Sequence, residues 1–251
     1  HYTELIQPGG ALIIHTDLEM KANVQEGVKI YEYSLDKGDF HAENIKIENG
    51  NITFDFISPI ESIKNVELGN PVPINIENGI AAMAMAQLNG CTAEELKYGM
   101  ATYHGVDRRF DFSLKNDRHV LISDYAHHPK EIYQSAKSIK QLYSNRKITA
   151  IFQPHLYTRT RDFYKEFADA LSQLDEVILC DIYPAREQPI PGVTSKLIYD
   201  NIAEGVEKSM IKKDEVIDLV KSRDFDVLVI LGAGDLDNQV PKIAKILESK
   251  K

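Results

Sequence analysis

The sequence predicts an α/β protein: a mainly parallel sheet in its second part, preceded by a smaller, partial α/β part. Three observations carry this expectation. After Gly105, short apolar runs alternate with helix-like stretches, the pattern of strands and crossover helices. Before Gly105, the chain is β-rich to about residue 70 and then helical. Its 251 residues exceed one typical domain of about 150. The boundary falls near Tyr103-His104-Gly105, which divides the chain into residues 1–104 and 105–251.

In order, residues 11–14 (Ala-Leu-Ile-Ile) form an apolar strand after a Pro8-Gly9-Gly10 turn. Ile45 and Ile47 alternate with polar residues, Asn49-Gly50 turns the chain, and Ile52, Phe54 and Phe56 alternate again, which reads as a hairpin. Residues 76–88 are small and apolar and read as a buried helix. Thr92 and Glu95 form a capping box for a second helix over 93–103. Strands are expected at 120–122, 148–152, 177–179 and 227–231. Helices are expected at 129–143, with Pro129 in the first turn, and at 161–174, 195–205, 215–221 and 239–249. The opening His1-Tyr2-Thr3-Glu4-Leu5-Ile6 already reads as packed structure without an initiator Met. That is expected of a piece of a longer protein; a tag remnant at His1 is the alternative.

With 29 basic and 38 acidic residues the net charge is -9. A general binder of nucleic acid or anionic membrane is excluded, because its surface would repel phosphate. Cys91 and Cys180 make no disulfide framework, so a reduced, cytoplasmic setting is expected. No apolar run reaches the ~18–20 residues of a membrane span. No G-x-x-x-x-G-K-[ST] occurs, so the chain supplies no P-loop.

In open α/β sheets ligands bind outside the carboxyl ends of the strands. Those ends carry Asp124-Tyr125-Ala126-His127-His128-Pro129, then Gln153-Pro154-His155 with Thr158-Arg159-Thr160-Arg161, then Asp181 with Arg186-Glu187, then Gly232-Ala233-Gly234-Asp235. Three loops bring His or Arg to one rim, and Arg offers a planar donor fork matched to carboxylate and phosphate. A pocket for an anionic small molecule is expected. His127 and His128 are equally readable as loop histidines satisfied by their own surroundings. Their spacing to His155 lacks the HxxxH or Cys pattern of a metal site. Arg159 and Arg161 are read at a helix start, as a solvated pair or as holders of an anion there. Gly232-Ala233-Gly234 lacks a third glycine and reads as a tight turn rather than a phosphate cradle. Asn75 and Asn78 are readable as helix caps.

Five strings, in this order and spacing, resemble the Mur ligases, ATP-dependent amino-acid ligases of peptidoglycan precursor synthesis. They are 75–82 (NIENGIAA), 105–111 (GVDRRFD), 124–129 (DYAHHP), 152–162 (FQPHLYTRTRD) and 183–187 (YPARE). The resemblance covers nearly the whole chain, and 127–129 with 158–161 resemble the member that adds L-alanine to UDP-N-acetylmuramate. It implies a Rossmann-like C-terminal ligase domain at 105–251, preceded at 1–104 by the remainder of a central ATP-binding (ATPase) domain. It implies an acyl phosphate made with ATP and Mg2+, attacked by the alanine amine. By residue, the resemblance implies that Asn75 and Asn78 contact adenine, Arg109 reaches the nucleotide, and Asp124 holds the ribose. His127 and His128 line the cleft, and His155 and Arg159 hold the amino-acid carboxylate and the reacting centre. Arg161 and Arg186 join Arg159 as substrate-binding residues.

The sequence departs from the family pattern at Leu156, where the family often has Arg, so one anion contact is absent or supplied elsewhere. The P-loop, the magnesium-binding residues and the UDP-binding domain are not in this chain, which alone is expected neither to hydrolyse ATP nor to make product. Mg2+ is expected to be bound mainly by the absent part, with no metal ligands assigned here. Two alternatives stay open: a ligase attaching a recycled peptide to the same UDP-sugar, and a non-catalytic binding module of the same fold. Apolar surface at Ile13, Ile14 or Phe54 is expected to be exposed in the first part.

Overall fold

A computed structural model describes residues 2–19, 21–48 and 50–250. The predicted turn residue Asn49 and the opening His1 lie outside them. The chain divides into two compact units, His1–His104 and Gly105–Lys251. Among the described residues no helix is long and apolar enough to cross a membrane.

In the first unit, β1 (Ala11–His15) pairs in parallel with β2 (Lys29–Tyr33). β3 (His41–Glu48), β4 (Asn51–Ile57) and β5 (Ile63–Glu67) form an antiparallel sheet in that order. The predicted hairpin is the β3–β4 pair. On β4 the alternation is strict, with Ile52, Phe54 and Phe56 buried. On β3 it fails: the register shifts between Glu43 and Lys46, Asn44 takes a φ of 50°, and Ile45 is left exposed. Phe54, expected at the surface, is in the core with Phe40, Phe56, Ile80 and Met83, while Ile13 and Ile14 are half-buried. The two helices are α1 (Ile74–Leu88) and α2 (Ala93–Thr102). Thr92 and Glu95 close the predicted capping box on α2. Asn75 and Asn78 are inside α1 rather than at its cap, which is Pro73. Glu77 ties this helix down, accepting from Leu35 N at 3.0 Å and meeting His15 Nε2 at 2.9 Å.

The second unit holds β6 (Asp111–Lys115), β7 (Val120–Asp124), β8 (Ile148–Phe152), β9 (Glu176–Leu179), β10 (Glu207–Met210) and β11 (Val227–Leu231). They form one sheet, ordered β10-β9-β8-β11-β7-β6, parallel except for β6. β8, β9 and β11 are buried at every position, as both covered faces require. The helices are α3 (Pro129–Leu142), α4 (Tyr157–Leu171), α5 (Lys196–Tyr199), α6 (Val216–Ser222) and α7 (Val240–Ser249). From β7 to β10 the chain steps one way across the sheet, so right-handed crossovers put α3, α4 and α5 on one face, where they pack in a row. The return to β11 reverses the step and puts α6 on the other face with α7. At the far end of the sheet from the carboxyl ends, Glu176 is 4% exposed and takes a two-pronged ion pair from Arg223, at 2.8 Å and 2.5 Å.

Two helix expectations are corrected. α4 starts at Tyr157 rather than near Arg161, so Thr158, Arg159 and Thr160 are helical too. The helix expected at 195–205 is the single turn of α5. Strands β2, β5, β6 and β10 were not foreseen; all are short, and β10 reads Glu-Lys-Ser-Met, with no apolar alternation to detect.

Candidate functional site

The strand order reverses around β11, between β8 and β7: the chain leaves β8 toward one face of the sheet and leaves β11 toward the other. A crevice opens at the carboxyl ends where adjacent loops diverge in this way. Gln153 links its two sides. Its Nε2 donates to Asp235 Oδ1 at 3.1 Å, and its Oε1 accepts from Leu236 N at 3.0 Å. The glycines of 232–234 serve this contact. A Cβ on Gly232 would lie 2.5 Å from Gln153 O, and one on Gly234 would lie 2.1 Å from Gln153 Oε1. They let two loops touch and form no phosphate cradle of their own. Lys213 Nζ reaches Asp235 at 2.8 Å; although burial works against it, Lys213 and Gln153 hold that carboxyl below its usual range.

Asp124 ends β7. Burial raises its carboxyl above the usual aspartate value, against hydrogen bonds from Ser135 Oγ, Ala126 N and Phe110 N. A carboxylate has about four acceptor positions. Three are in use, which leaves one for an incoming hydroxyl. The chain then turns into α3, where Glu131 reaches back to accept from His127 N and His128 N, both at 3.0 Å. The two histidines are thereby fixed by their backbone, and the His127 ring is also held, its Nδ1 3.0 Å from Tyr125 O.

Across the crevice the rings form a file. Tyr125 meets His127 edge-on at 5.1 Å, His127 meets His155 at 6.2 Å, and His155 stacks on Tyr183 at 5.7 Å. Arg108 closes one end with its guanidinium 4.7 Å over the Tyr125 ring. His128 turns aside, to Phe163 at 5.2 Å. Loops after β7, β8 and β9 each contribute a member, so His127, His155 and Asp124 do converge on one rim. Arg159, in the first turn of α4, places Nη1 3.5 Å from His155 Nδ1. Burial, the Arg159 charge and His127 together push the His155 pKa below its ordinary value, so the imidazole is neutral at pH 7.

The rim is less uniformly cationic than the sequence suggested. Arg161 is exposed and spent on Asp162, at 2.7 Å and 3.2 Å. Arg108 Nε is 2.9 Å from Asp237 Oδ2, too bent for a hydrogen bond. Arg109, Arg159 and Arg186 are left without a carboxylate partner among the described residues. At the start of α4 the protein already supplies one carboxylate: Glu187 accepts from Thr158 N at 2.9 Å and from Thr158 Oγ1. Glu187, Tyr125, Tyr183 and Arg108 stood in the quoted strings without a role, because nothing local marks a cap donated from another loop or a ring file assembled from three. Among the described residues no three His, Cys, Asp or Glu side chains come together to hold a metal ion. Asn75 and Asn78 lie in the first unit, where Asn78 Nδ2 donates to Asn75 Oδ1 at 3.3 Å and Asn75 Nδ2 to Asn70 O at 3.4 Å.

Residues 108–234, just over half of the chain and all of this rim except Asp235, match the model of the Mur ligase, glutamate ligase domain. The chain belongs to the Mur ligase family. Two similar relatives are named UDP-N-acetylmuramate–L-alanine ligase. That of Phocaeicola vulgatus is 64% identical over 99% of this chain and 54% of its own length. That of Parabacteroides distasonis is 55% identical over 98% of this chain and 53% of its own. The chain thus spans about half the length of these Mur ligase relatives. A crystal structure of UDP-N-acetylmuramate-alanine ligase from Thermotoga maritima shares the fold, with a TM-score of 0.70 at 24% identity over 88% of this chain and 48% of that one.

Proposed function

We propose that this chain is part of an ATP-dependent ligase that joins L-alanine to UDP-N-acetylmuramate in peptidoglycan precursor synthesis. Residues 1–104 are the remainder of its central ATP-binding domain and 105–251 its C-terminal ligase domain. The observation that carries the reading is the pairing of a neutral His155 with an unpaired Arg159 on a rim that also holds Asp124. The names of the similar relatives support it. So does the β1–β2 pair: two parallel strands with half-buried residues make no stable sheet alone and fit as a piece of a larger one.

In this reading ATP phosphorylates the muramate carboxylate. The alanine amine attacks the acyl phosphate, and the tetrahedral intermediate expels phosphate. Arg159 takes the alanine carboxylate in its donor fork. His155, uncharged, lies beside the amine without repelling it, and accepts a proton from it. His127 and His128 line the cleft, and Arg186 supplies a further anion contact. Asp124 offers its remaining acceptor position to the ribose, Arg109 reaches the nucleotide, and Asn75 and Asn78 meet the adenine. Arg161 offers a second anion contact in exchange for its surface pair with Asp162. Magnesium and the triphosphate-binding loop belong to sequence outside this chain, and the setting is cytoplasmic.

The test is ADP release by the full-length protein with UDP-N-acetylmuramate and a panel of amino acids and peptides. L-alanine is the expected acceptor. Preference for a tripeptide would identify a peptide-recycling ligase, and no acceptor-dependent ADP would leave a binding module. Arg159→Ala should raise the KM for alanine, and Arg109→Ala should raise the KM for ATP or lower kcat. This chain alone should release no ADP.

A further inference from the structure

We infer that Glu187 is a positioning residue for the amino-acid end of this site: from the β9–α5 loop it holds the first turn of α4 and so sets where Arg159 and His155 stand. The inference rests on the function proposed above.

A helix start leaves backbone N–H groups unsatisfied. At α4 the residue before the first turn is Leu156, whose side chain makes no cap and whose φ is 73°, in the left-handed region. A leucine keeps such a conformation only where the surroundings impose it. Here they do. Leu156 N donates to Tyr183 O at 3.0 Å, and Tyr183 N donates to Pro154 O at 2.8 Å. Leu156 O in turn accepts from Thr160 N at 3.1 Å and Thr160 Oγ1 at 2.9 Å.

Glu187 completes the clamp. The loop turns at Ala185, φ 51°, and Glu187 N donates to Pro184 O at 2.9 Å. Its carboxylate then takes the Thr158 N–H, the Thr158 hydroxyl and the Tyr157 N–H. These bonds hold its carboxyl below the usual glutamate value. Arg159 follows Thr158 directly, and His155 is fixed between Pro154 and Leu156, both tied to Tyr183. The consequence reaches the substrate. Because a carboxylate already occupies the start of α4, an incoming carboxylate is denied those N–H groups and is directed to Arg159.

The test uses the full-length protein, with steady-state KM for L-alanine, UDP-N-acetylmuramate and ATP, and a thermal melt of each variant. Glu187→Ala should raise the KM for alanine tenfold or more and leave the KM for ATP within twofold. Glu187→Gln keeps one acceptor oxygen at the same reach and should recover most of that loss. Thr158→Val removes only the hydroxyl contact and should give a smaller shift in the same direction, which keeps the inference testable if Glu187→Ala does not fold. A folded Glu187→Ala with an unchanged KM for alanine, or with ATP and alanine terms rising together, would overturn the inference and leave the proposed function standing. A wild-type protein that does not use alanine would overturn both.

Discussion

Gly234 stands where a methyl group has no room. An alanine there would bring its Cβ to 2.1 Å from Gln153 Oε1 and 3.1 Å from Tyr183 Cβ. The Tyr183 contact can relax by a few tenths of an ångström. The Gln153 contact cannot, because that amide is held at both ends, by Leu236 N and Asp235. Gly234→Ala must therefore expel the Gln153 side chain. That leaves the Leu236 N–H buried without a partner, at about 2 kcal/mol. Local overpacking against Tyr183 adds about 1 kcal/mol, for a total near 3 kcal/mol by these two principles. In a protein of this size that is roughly 6–12 °C in Tm. In a Gln153→Ala background the two bonds are already gone, and the same glycine change should cost only about 1 kcal/mol. The assay is urea unfolding of wild type, both single variants and the double variant, followed by hydrogen exchange of β8 and β11 peptides. A cost below 1 kcal/mol in the wild type, or an equal cost in both backgrounds, would refute the reasoning.

Arg223→Ala strands the buried Glu176 carboxylate, which keeps only Thr149 and Lys147, and should cost about 3 kcal/mol at pH 7. In the wild type, burial opposes but Arg223 and Thr149 hold the Glu176 pKa down, so its stabilisation is present above the unfolded pKa and lost as pH falls through the folded one. The variant's deficit in a urea melt should therefore shrink from pH 7 to pH 4; a deficit constant with pH would contradict this. His155, with its pKa lowered mainly by burial and then by Arg159, resists protonation in the folded state, so its contribution is lost as pH drops below the unfolded value of 6.5. Arg159→Ala should raise the His155 pKa in an NMR titration; no upward movement would break the assigned contact. Burial pushes the Cys180 thiol up to about 12, whereas Cys91 is exposed. A thiol reagent at pH 8 should label one cysteine in the native protein and the second only in urea.

The parts of the fold that were legible are those where one physical signal dominates. β8 and β11 are unbroken runs of apolar residues because both faces of the sheet are covered. α2 announces itself through the Thr92–Glu95 box, and α3 through Pro129. The start of α4 was misplaced for an equally physical reason: its cap comes from Glu187, 29 residues further along the chain, so Thr158 and Arg159 carry no local sign of a helix. β3 misled because one left-handed residue, Asn44, slides its register and turns Ile45 outward. Within the site, single charged residues could be named from the strand ends. Their surroundings could not, since the side chains that hold them come from far along the chain, as Glu187 does for the turn carrying Arg159.

The loop from Asp181 to Thr194 is stapled to the body of its unit at Tyr183, at Glu187 and, through Ser195 Oγ to Cys180 O, at its far end. The longest free stretch is residues 188–192, between Glu187 and the buried Val193. Insertions and deletions among homologous chains should gather in that short stretch, and a protease acting on the native protein should find its first cut there.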